Sequence, residues 1–428
     1  MKDLFKTIIK DFHTNFIPAV KKRNLSVPIN SNKIVTIIGG RRTGKTYYLY
    51  QLINQILDYT EITNIVYINF EDERLNISDK ELQLIIDAYY ELYPDNKSEL
   101  YFFFDEIQYF KNWERFVRRI YDSISKKIFI TGSSSKLLSK EIATSLRGRS
   151  ITYELFPLTF NEYLQFRNID SSDIYSTRNK AKIRRAFNEY LFNGGYPEVV
   201  NFDKELRLRT LQSYFDVMIY RDIIERYEIR NVLALKYFIK KSISNVANYL
   251  SINKLYNELK SAGIKISKDS IYDFINYVND CYLLFLINIY SESIHIQNTN
   301  DKKIYCVDNG IVSSISYAAS ENIGRLLENI IYLSLRVDGY YIYYFRDKRE
   351  CDFVVIKEGK IKDAIQVTKE LNSNNREREI EGLIDALEYF GLKKGTIITL
   401  NQSDELVVNG KHIKIVPAWQ WLLKKNNE

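Results

Sequence analysis

Short apolar runs alternate with amphipathic stretches through the first third of the chain. Lys33–Ile38 is followed by the helical pattern Lys45–Leu57, Asn64–Phe70 by Ser78–Tyr93, and Leu100–Phe104 by Asn112–Asp122, and Lys127–Thr131 closes the series. Strand and helix alternating in this way predict a parallel α/β sheet. The strand segments IVTII, NIVYINF, YFFF and KIFIT are apolar throughout, as strands covered on both faces must be. Ser78 followed by Glu81 is a capping-box pair that opens the second of these helices.

The pattern then changes three times. From Phe160 to about Arg230 it is helical, broken at Asn193-Gly194-Gly195-Tyr196-Pro197, and predicts a helical lid attached to the sheet domain. Residues 231–295 give three helix-like segments, Val232–Val246, Ile252–Ala262 and Lys268–Asp280, then an apolar strand pair around Leu283–Ile296, the order of a winged helix. After Asp301 a separate α/β domain is predicted. It has a helix at Gly324–Val337, strands at Tyr340–Phe345, Asp352–Lys357 and Ala364–Thr368, a helix at Arg376–Phe390 and a strand near Thr396–Leu400. The expected boundaries are 1–158, 159–230, 231–297 and 298–428.

Composition agrees with several modules. A chain of 428 residues exceeds one ordinary core, and 45% apolar with 27% charged residues is the balance of a soluble globular protein. The most apolar stretch, Cys281–Tyr290, covers about half of the ~20 residues a membrane-spanning helix requires. The N-terminal segment lacks the apolar core of a secretory signal, which leads us to expect a cytoplasmic protein. Three scattered cysteines (Cys281, Cys306, Cys351) and three histidines argue against a disulfide framework or a His/Cys metal centre. The net charge of +7 resides in residues 1–300, which carry 42 Lys/Arg against 35 Asp/Glu, whereas residues 301–428 carry 19 of each. So mild an excess points to nucleic acid only weakly.

The chemistry begins at Gly39-Gly40-Arg41-Arg42-Thr43-Gly44-Lys45-Thr46. This segment fits GxxxxGK[ST] and stands between a buried strand and a helix, where a P-loop (Walker A) must stand. Its glycines let consecutive N–H groups turn toward a phosphate, with the positive end of the next helix behind them. Lys45 would neutralise the β- and γ-phosphates of ATP, and Thr46 would offer a hydroxyl to Mg²⁺. Tyr101-Phe102-Phe103-Phe104-Asp105-Glu106 is an apolar strand ending in two carboxylates, the form of a Walker B segment. Asp105 would hold the Mg²⁺ shell and Glu106 would deprotonate the attacking water. Ile130-Thr131-Gly132-Ser133-Ser134-Ser135 closes the next strand with hydroxyl side chains that suit either a γ-phosphate contact or an ST-turn. Arg147-Gly148-Arg149 offers an arginine for transition-state charge, or a solvated basic turn.

The series IIGGRRTGKT, YINFEDERL, FFFDEIQ, ITGSSSKLLS, SLRGR, PLTFNEYL and FNGGYPEVV, in this order, resembles the archaeal and bacterial AAA+-type P-loop ATPases with a winged helix and a C-terminal domain of unknown function. The resemblance spans essentially the whole chain. It implies ATP and Mg²⁺ as ligands, with Lys45, Thr46, Asp105 and Glu106 in their family roles, Ser133 or Ser134 in the sensor position and Arg149 as the arginine finger. It also implies a C-terminal domain similar to restriction endonucleases, whose chemistry needs converging acids and a lysine. Glu328 and Asp352 match the first two acids, with Glu350 as a further candidate because residues two apart on a strand share a face. The third element departs from the pattern. Gln366 stands at the acid's position and Thr368 at the lysine's, and Lys369 faces away because adjacent strand residues point to opposite faces.

The expectation is therefore an ATP-binding and ATP-hydrolysing protein that couples nucleotide state to its C-terminal domains on a protein or DNA partner, with a homo-oligomer among the expected assemblies. The competing expectations are an ATP-regulated, metal-dependent DNA nuclease of repair, recombination or defence, and a nucleotide-gated scaffold. For the winged helix, Asp269, Asp273 and Asp280 on the third helix favour protein contact over DNA binding, because a phosphate backbone would be repelled there.

Overall fold

The computed structural model describes residues 1–15, 17–75, 79–133, 146–317 and 321–424. The described chain forms two compact units, Met1–Leu155 and Phe156–Glu428. Among the described residues no helix is long and apolar enough to cross a membrane.

The first unit is built on a five-stranded sheet: β1 (Ile34–Ile38), β2 (Ile65–Asn69), β3 (Tyr101–Asp105), β4 (Lys127–Gly132) and β5 (Ser150–Glu154). All neighbours run parallel, in the order β2-β3-β4-β1-β5. β5 is absent from the sequence reading. Its partial exposure marks an edge strand, which needs no continuous apolar run. The helices of this unit are α1 (Lys2–Thr14), α2 (Lys45–Ile56), α3 (Gln83–Leu92) and α4 (Trp113–Ser123). α2 buries Tyr48, Leu49, Leu52, Ile53 and Ile56, one helical stripe, against Val35, Ile37, Phe103 and Phe129 of the sheet. Each such side chain contributes roughly 1.5–3 kcal/mol when fully buried. The expected capping box at Ser78 lies outside the described residues, and regular α-helix begins at Gln83 after a 3₁₀ turn.

The second unit opens with α5 (Phe160–Phe166), α6 (Thr177–Asn193) and α7 (Lys204–Val217), the last continuing into a π-helical stretch at Met218–Glu225. These helices cluster with the C-terminal two-thirds of the chain. The reason lies in the glycine break. Gly195 N–H donates to Asp308 Oδ2 at 2.6 Å, and Asn309 Nδ2 donates to the Leu191 carbonyl at 2.8 Å. A Cβ at Gly194, whose φ is +73°, would stand 1.9 Å from Asp308 Oδ1. Only glycine allows this approach.

Next come α8 (Val232–Ser244), β6 (Tyr249–Leu250), α9 (Ile252–Ser261), α10 (Lys268–Asp280), β7 (Leu284–Ile287), α11 (Ile294–Thr299) and β8 (Lys302–Cys306). β8 pairs antiparallel with both β6 and β7 to complete a three-stranded sheet. Three helices with a small sheet match the predicted winged-helix order, but the strand pair does not end at Ile296. Ser293 caps a short helix there, accepting from Ile296 N–H, and the second strand is β8, past the expected boundary at 297.

The remainder comprises α12 (Asn309–Ile315), α13 (Ile323–Val337), β9 (Tyr341–Arg346), β10 (Glu350–Lys357), β11 (Lys360–Val367), α14 (Arg376–Tyr389), β12 (Lys394–Thr399), β13 (Asp404–Val408), β14 (Lys411–Pro417) and α15 (Ala418–Lys424). Its sheet runs β13-β14-β12-β11-β10-β9 and is mixed, with β11, β12 and β14 parallel. The β13–β14 hairpin and α12 go beyond the sequence reading.

Candidate functional site

A parallel sheet delivers its strand ends to one edge, and in an α/β sheet ligands bind at the carboxyl ends of the strands. Because β4 lies between β1 and β3, three sequence-distant segments meet at that edge: the P-loop after β1, Asp105-Glu106 at the end of β3 and Thr131-Gly132-Ser133 at the end of β4.

The loop is tightly built. Thr43 Oγ1 donates to the Gly40 carbonyl at 3.0 Å, and Gly44 turns at φ 94° to start α2. A Cβ on Gly39 would lie 2.1 Å from the Leu155 carbonyl oxygen. Arg23, which the sequence reading passed over, is buried and donates to the Thr43 carbonyl at 2.8 Å. Arg41 pairs with Glu71 at 3.2 Å, and Arg42 adopts a positive φ of 64° on the exposed side of the loop. Lys45 Nζ is held by the carbonyls of Gly39 (3.3 Å) and Gly40 (3.2 Å) and by Glu106 Oε1 at 3.1 Å.

Asp105 is fully buried and accepts from Thr46 Oγ1 at 2.7 Å and from the Tyr67 hydroxyl at 3.1 Å on Oδ2, and from Thr131 Oγ1 on Oδ1. Burial first, and then the neighbouring charge of Glu106, push its carboxyl above the usual range. Thr131 also accepts from the Glu106 N–H at 2.9 Å, so one hydroxyl orders both acids. Burial alone would push Glu106 up too, but the Lys45 ammonium and a hydrogen bond from Gln108 hold it below its ordinary value. Glu106 sits in the left-handed region at φ 52°, ψ 45°, a conformation that costs about 1–3 kcal/mol for a non-glycine residue and is characteristic of functional sites.

Gln108 is a second residue missed from sequence. Its Nε2 donates to Glu106 Oε2 at 2.5 Å and to Ser133 Oγ at 3.3 Å. That leaves its Oε1 buried without a partner. Gln108 thus links the expected sensor residue Ser133 to the expected base. Ser134 lies outside the described residues. Arg149 is not part of this hydrogen-bonded group: its guanidinium pairs with Asp122 at 3.0 and 3.3 Å and lies over the Tyr121 ring.

The adjoining oxygens of Thr46 and Asp105 form a hard-donor pair that suits Mg²⁺.

In the second unit, Glu328, Glu350 and Asp352 also come together, but around an ammonium. Lys303 Nζ lies 3.3, 2.6 and 2.8 Å from them respectively. Burial, followed by the Asp352 charge, pushes the Glu328 carboxyl up. Gln366 is committed elsewhere, its Oε1 accepting from Asp352 N–H at 3.1 Å and its Nε2 donating to Glu379 Oε2 at 2.6 Å. Thr368 is buried and Lys369 exposed, the opposite orientations expected of adjacent residues.

Fold and site together define a P-loop ATPase of the AAA class, and known proteins agree. Residues 31–164 match the AAA domain, and residues 184–322 and 323–421 match two domains of unknown function, DUF8612 and DUF4143. The chain is 40% identical over 439 residues to an uncharacterized protein of Methanocaldococcus jannaschii, spanning 99% of this chain and 96% of that one, and it belongs to the same family. It is also 29% identical to an uncharacterized protein of Haemophilus influenzae over 91% of this chain and 94% of that one. The solved Walker-type ATPase of Pyrococcus abyssi shares 16% identity, with a TM-score of 0.44 over 74% of this chain and 95% of that one.

Proposed function

We propose that the protein hydrolyses ATP with Mg²⁺ and uses the change of nucleotide state to rearrange residues 156–428 on a macromolecular partner. The observation that carries this reading is Glu106. A carboxylate in a strained backbone conformation, kept ionised by Lys45 and hydrogen-bonded to Gln108, is what a positioned base requires. A protein that only bound nucleotide would have little use for it.

In this reading the P-loop N–H groups and Lys45 hold the phosphates, and Thr46 and Asp105 hold Mg²⁺, which would supply Lewis-acid stabilisation of the developing charge. A triphosphate competes with Glu106 for Lys45, which frees the Glu106 carboxylate to accept a proton from water. Ser133, reached through Gln108, serves as the sensor. Arg149 acts in trans from a second copy of the chain, leaving Asp122 to do so. The outward face of α10 carries Asp269, Tyr272 and Asp273, which favours a protein partner over a phosphate backbone.

The C-terminal sheet serves as a docking module. The alternative reading, an ATP-regulated nuclease, is the poorer fit, because Gln366 replaces an acid and the only nearby lysine on β11's trailing loop, Lys369, points outward.

The test is phosphate release from ATP with and without Mg²⁺, by the wild type and Glu106→Gln. The variant is expected to bind ATP normally and to turn over roughly 10²-fold more slowly, the scale of a positioned general base. Equal rates would remove Glu106 from the mechanism.

A further inference from the structure

The three acids that the sequence nominates as metal ligands converge on one ammonium that the sequence does not nominate. Lys303 is 3% exposed, and its Nζ is 2.6 Å from Glu350 Oε1, 2.8 Å from Asp352 Oδ1 and 3.3 Å from Glu328 Oε1. The acids belong to α13 and β10. The lysine comes from β8, the middle strand of the small three-stranded sheet, 25 positions before Glu328 and 49 before Asp352.

These residues do not fit a divalent cation. An ion of Mg²⁺ size wants near-octahedral oxygens at about 2.0–2.1 Å, whereas the oxygens here are spaced for an ammonium. Two donors are already engaged: Asp352 Oδ2 accepts from Val367 N–H at 2.9 Å and Glu328 Oε1 accepts from the Tyr305 hydroxyl at 2.8 Å. A dication among these carboxylates would lie against the positive charge of Lys303. Among the described residues no group of three or more acidic, histidine or cysteine side chains is arranged to hold a metal.

We propose that Lys303 is the resident cation of this cluster, taking the place of a divalent metal and making the three carboxylates an ion-pair joint between the β6-β8-β7 sheet and the six-stranded sheet. The inference rests on the reading of the C-terminal sheet as a docking module and supplies its physical basis. Two buried carboxylates, Glu328 and Asp352, with the half-buried Glu350 beside them, are strongly disfavoured without a cation, and one lysine offsets much of that charge while tying two sheets together. Strand geometry makes it available. In Lys302-Lys303 adjacent side chains face opposite ways, so that Lys302 reaches Asn288 Oδ1 at 2.5 Å while Lys303 turns inward. Two positions on, Tyr305 shares the inward face and meets the same Glu328.

The test uses the full chain, free of nucleotide, titrated with Mn²⁺ while free Mn²⁺ is read by electron paramagnetic resonance and Tm by calorimetry. The wild type should bind no more Mn²⁺ than Asp352→Asn does, and Mn²⁺ should move the Tm of the two proteins equally. Lys303→Met should lower Tm by roughly 5–15 °C, Mn²⁺ should restore most of the loss, and Asp352→Asn added to Lys303→Met should abolish the rescue. Mn²⁺ binding by the wild type that disappears in Asp352→Asn would overturn the inference, as would a Lys303→Met protein as stable as the wild type. If Lys303→Met does not fold, the wild-type titration still decides, and Glu350→Gln, altering the most exposed of the three acids, should likewise bind no more Mn²⁺ than Asp352→Asn does. DNA cleavage is followed in parallel. Mn²⁺ bound without cleavage sinks only the role of Lys303, whereas Asp352-dependent cleavage sinks the docking-module reading itself.

Discussion

Lys45 Nζ lies 3.1 Å from Glu106 Oε1, so the cation assigned to the phosphates and the acid assigned to the water hold each other. Both side chains are nearly excluded from solvent.

Lys45→Ala removes this cation. ATP affinity, measured by titration calorimetry, should weaken at least about 10²-fold, the scale of a lost buried charge contact of roughly 3 kcal/mol. Wild-type affinity in the variant would show that the phosphates sit elsewhere.

Gln108 Nε2 faces the Glu106 carboxylate, so its Oε1, buried and unpartnered, is free to accept from water. Gln108→Leu removes both functions with little change of volume. Turnover should fall about 10–100-fold with ATP affinity unchanged, and Gln108→Asn should recover part of the rate. A loss confined to ATP affinity would exclude a role in positioning Glu106.

Arg149 is paired with Asp122 within its own unit, and in the proposed reading it acts on a second copy of the chain. Arg149→Ala mixed with Glu106→Gln should recover measurable ATPase activity, because each supplies what the other lacks. No recovery at any ratio, in a preparation shown to be oligomeric, would exclude action in trans.

Asp308 makes the second unit sensitive to pH. Burial pushes its carboxyl from 3.8 up to about 7, with backbone N–H groups of Gly195 and Gly310 offsetting only part. The folded state therefore keeps a proton that the unfolded chain has lost, and stability falls as pH rises from about 4 to about 7, then levels. The full span is on the order of 4 kcal/mol. Urea midpoints from pH 4.5 to 8 should show this decline in the wild type and a flatter profile in Asp308→Asn. An identical slope in both would assign the dependence to other groups.

The P-loop and the Asp105-Glu106 pair are legible in the sequence because each is a contiguous string whose chemistry follows from neighbours on one strand or turn. The four sheet segments read as buried strands for the same local reason, continuous apolar runs. β5 was passed over because an edge strand is exposed on one side, and the β13–β14 hairpin because β13 is largely exposed and β14 begins by alternating buried and exposed positions, so neither forms a continuous apolar run. Its Asn409-Gly410 turn, with φ of 50° and 72°, was a usable signal that went unread.

Sequence alone thus determined that a P-loop stands between β1 and α2 and which side chains build it, since GxxxxGK[ST] fixes backbone and charge within eight positions. Only the tertiary structure decided what surrounds them. Thr131 and Tyr67 come from other strands, and no local pattern announces that their hydroxyls will be aimed at Asp105, nor that Arg23 will reach the Thr43 carbonyl. Gln108 stands only two positions from Glu106, but its turn toward that carboxylate follows from the backbone at the end of β3. The same holds for Lys303. Its neighbours in sequence show only that one of two adjacent lysines must turn inward, and the acids that receive it are brought there by the packing of one sheet against another. Charge pairing across that distance is decided by three-dimensional proximity and burial, which a linear pattern does not encode.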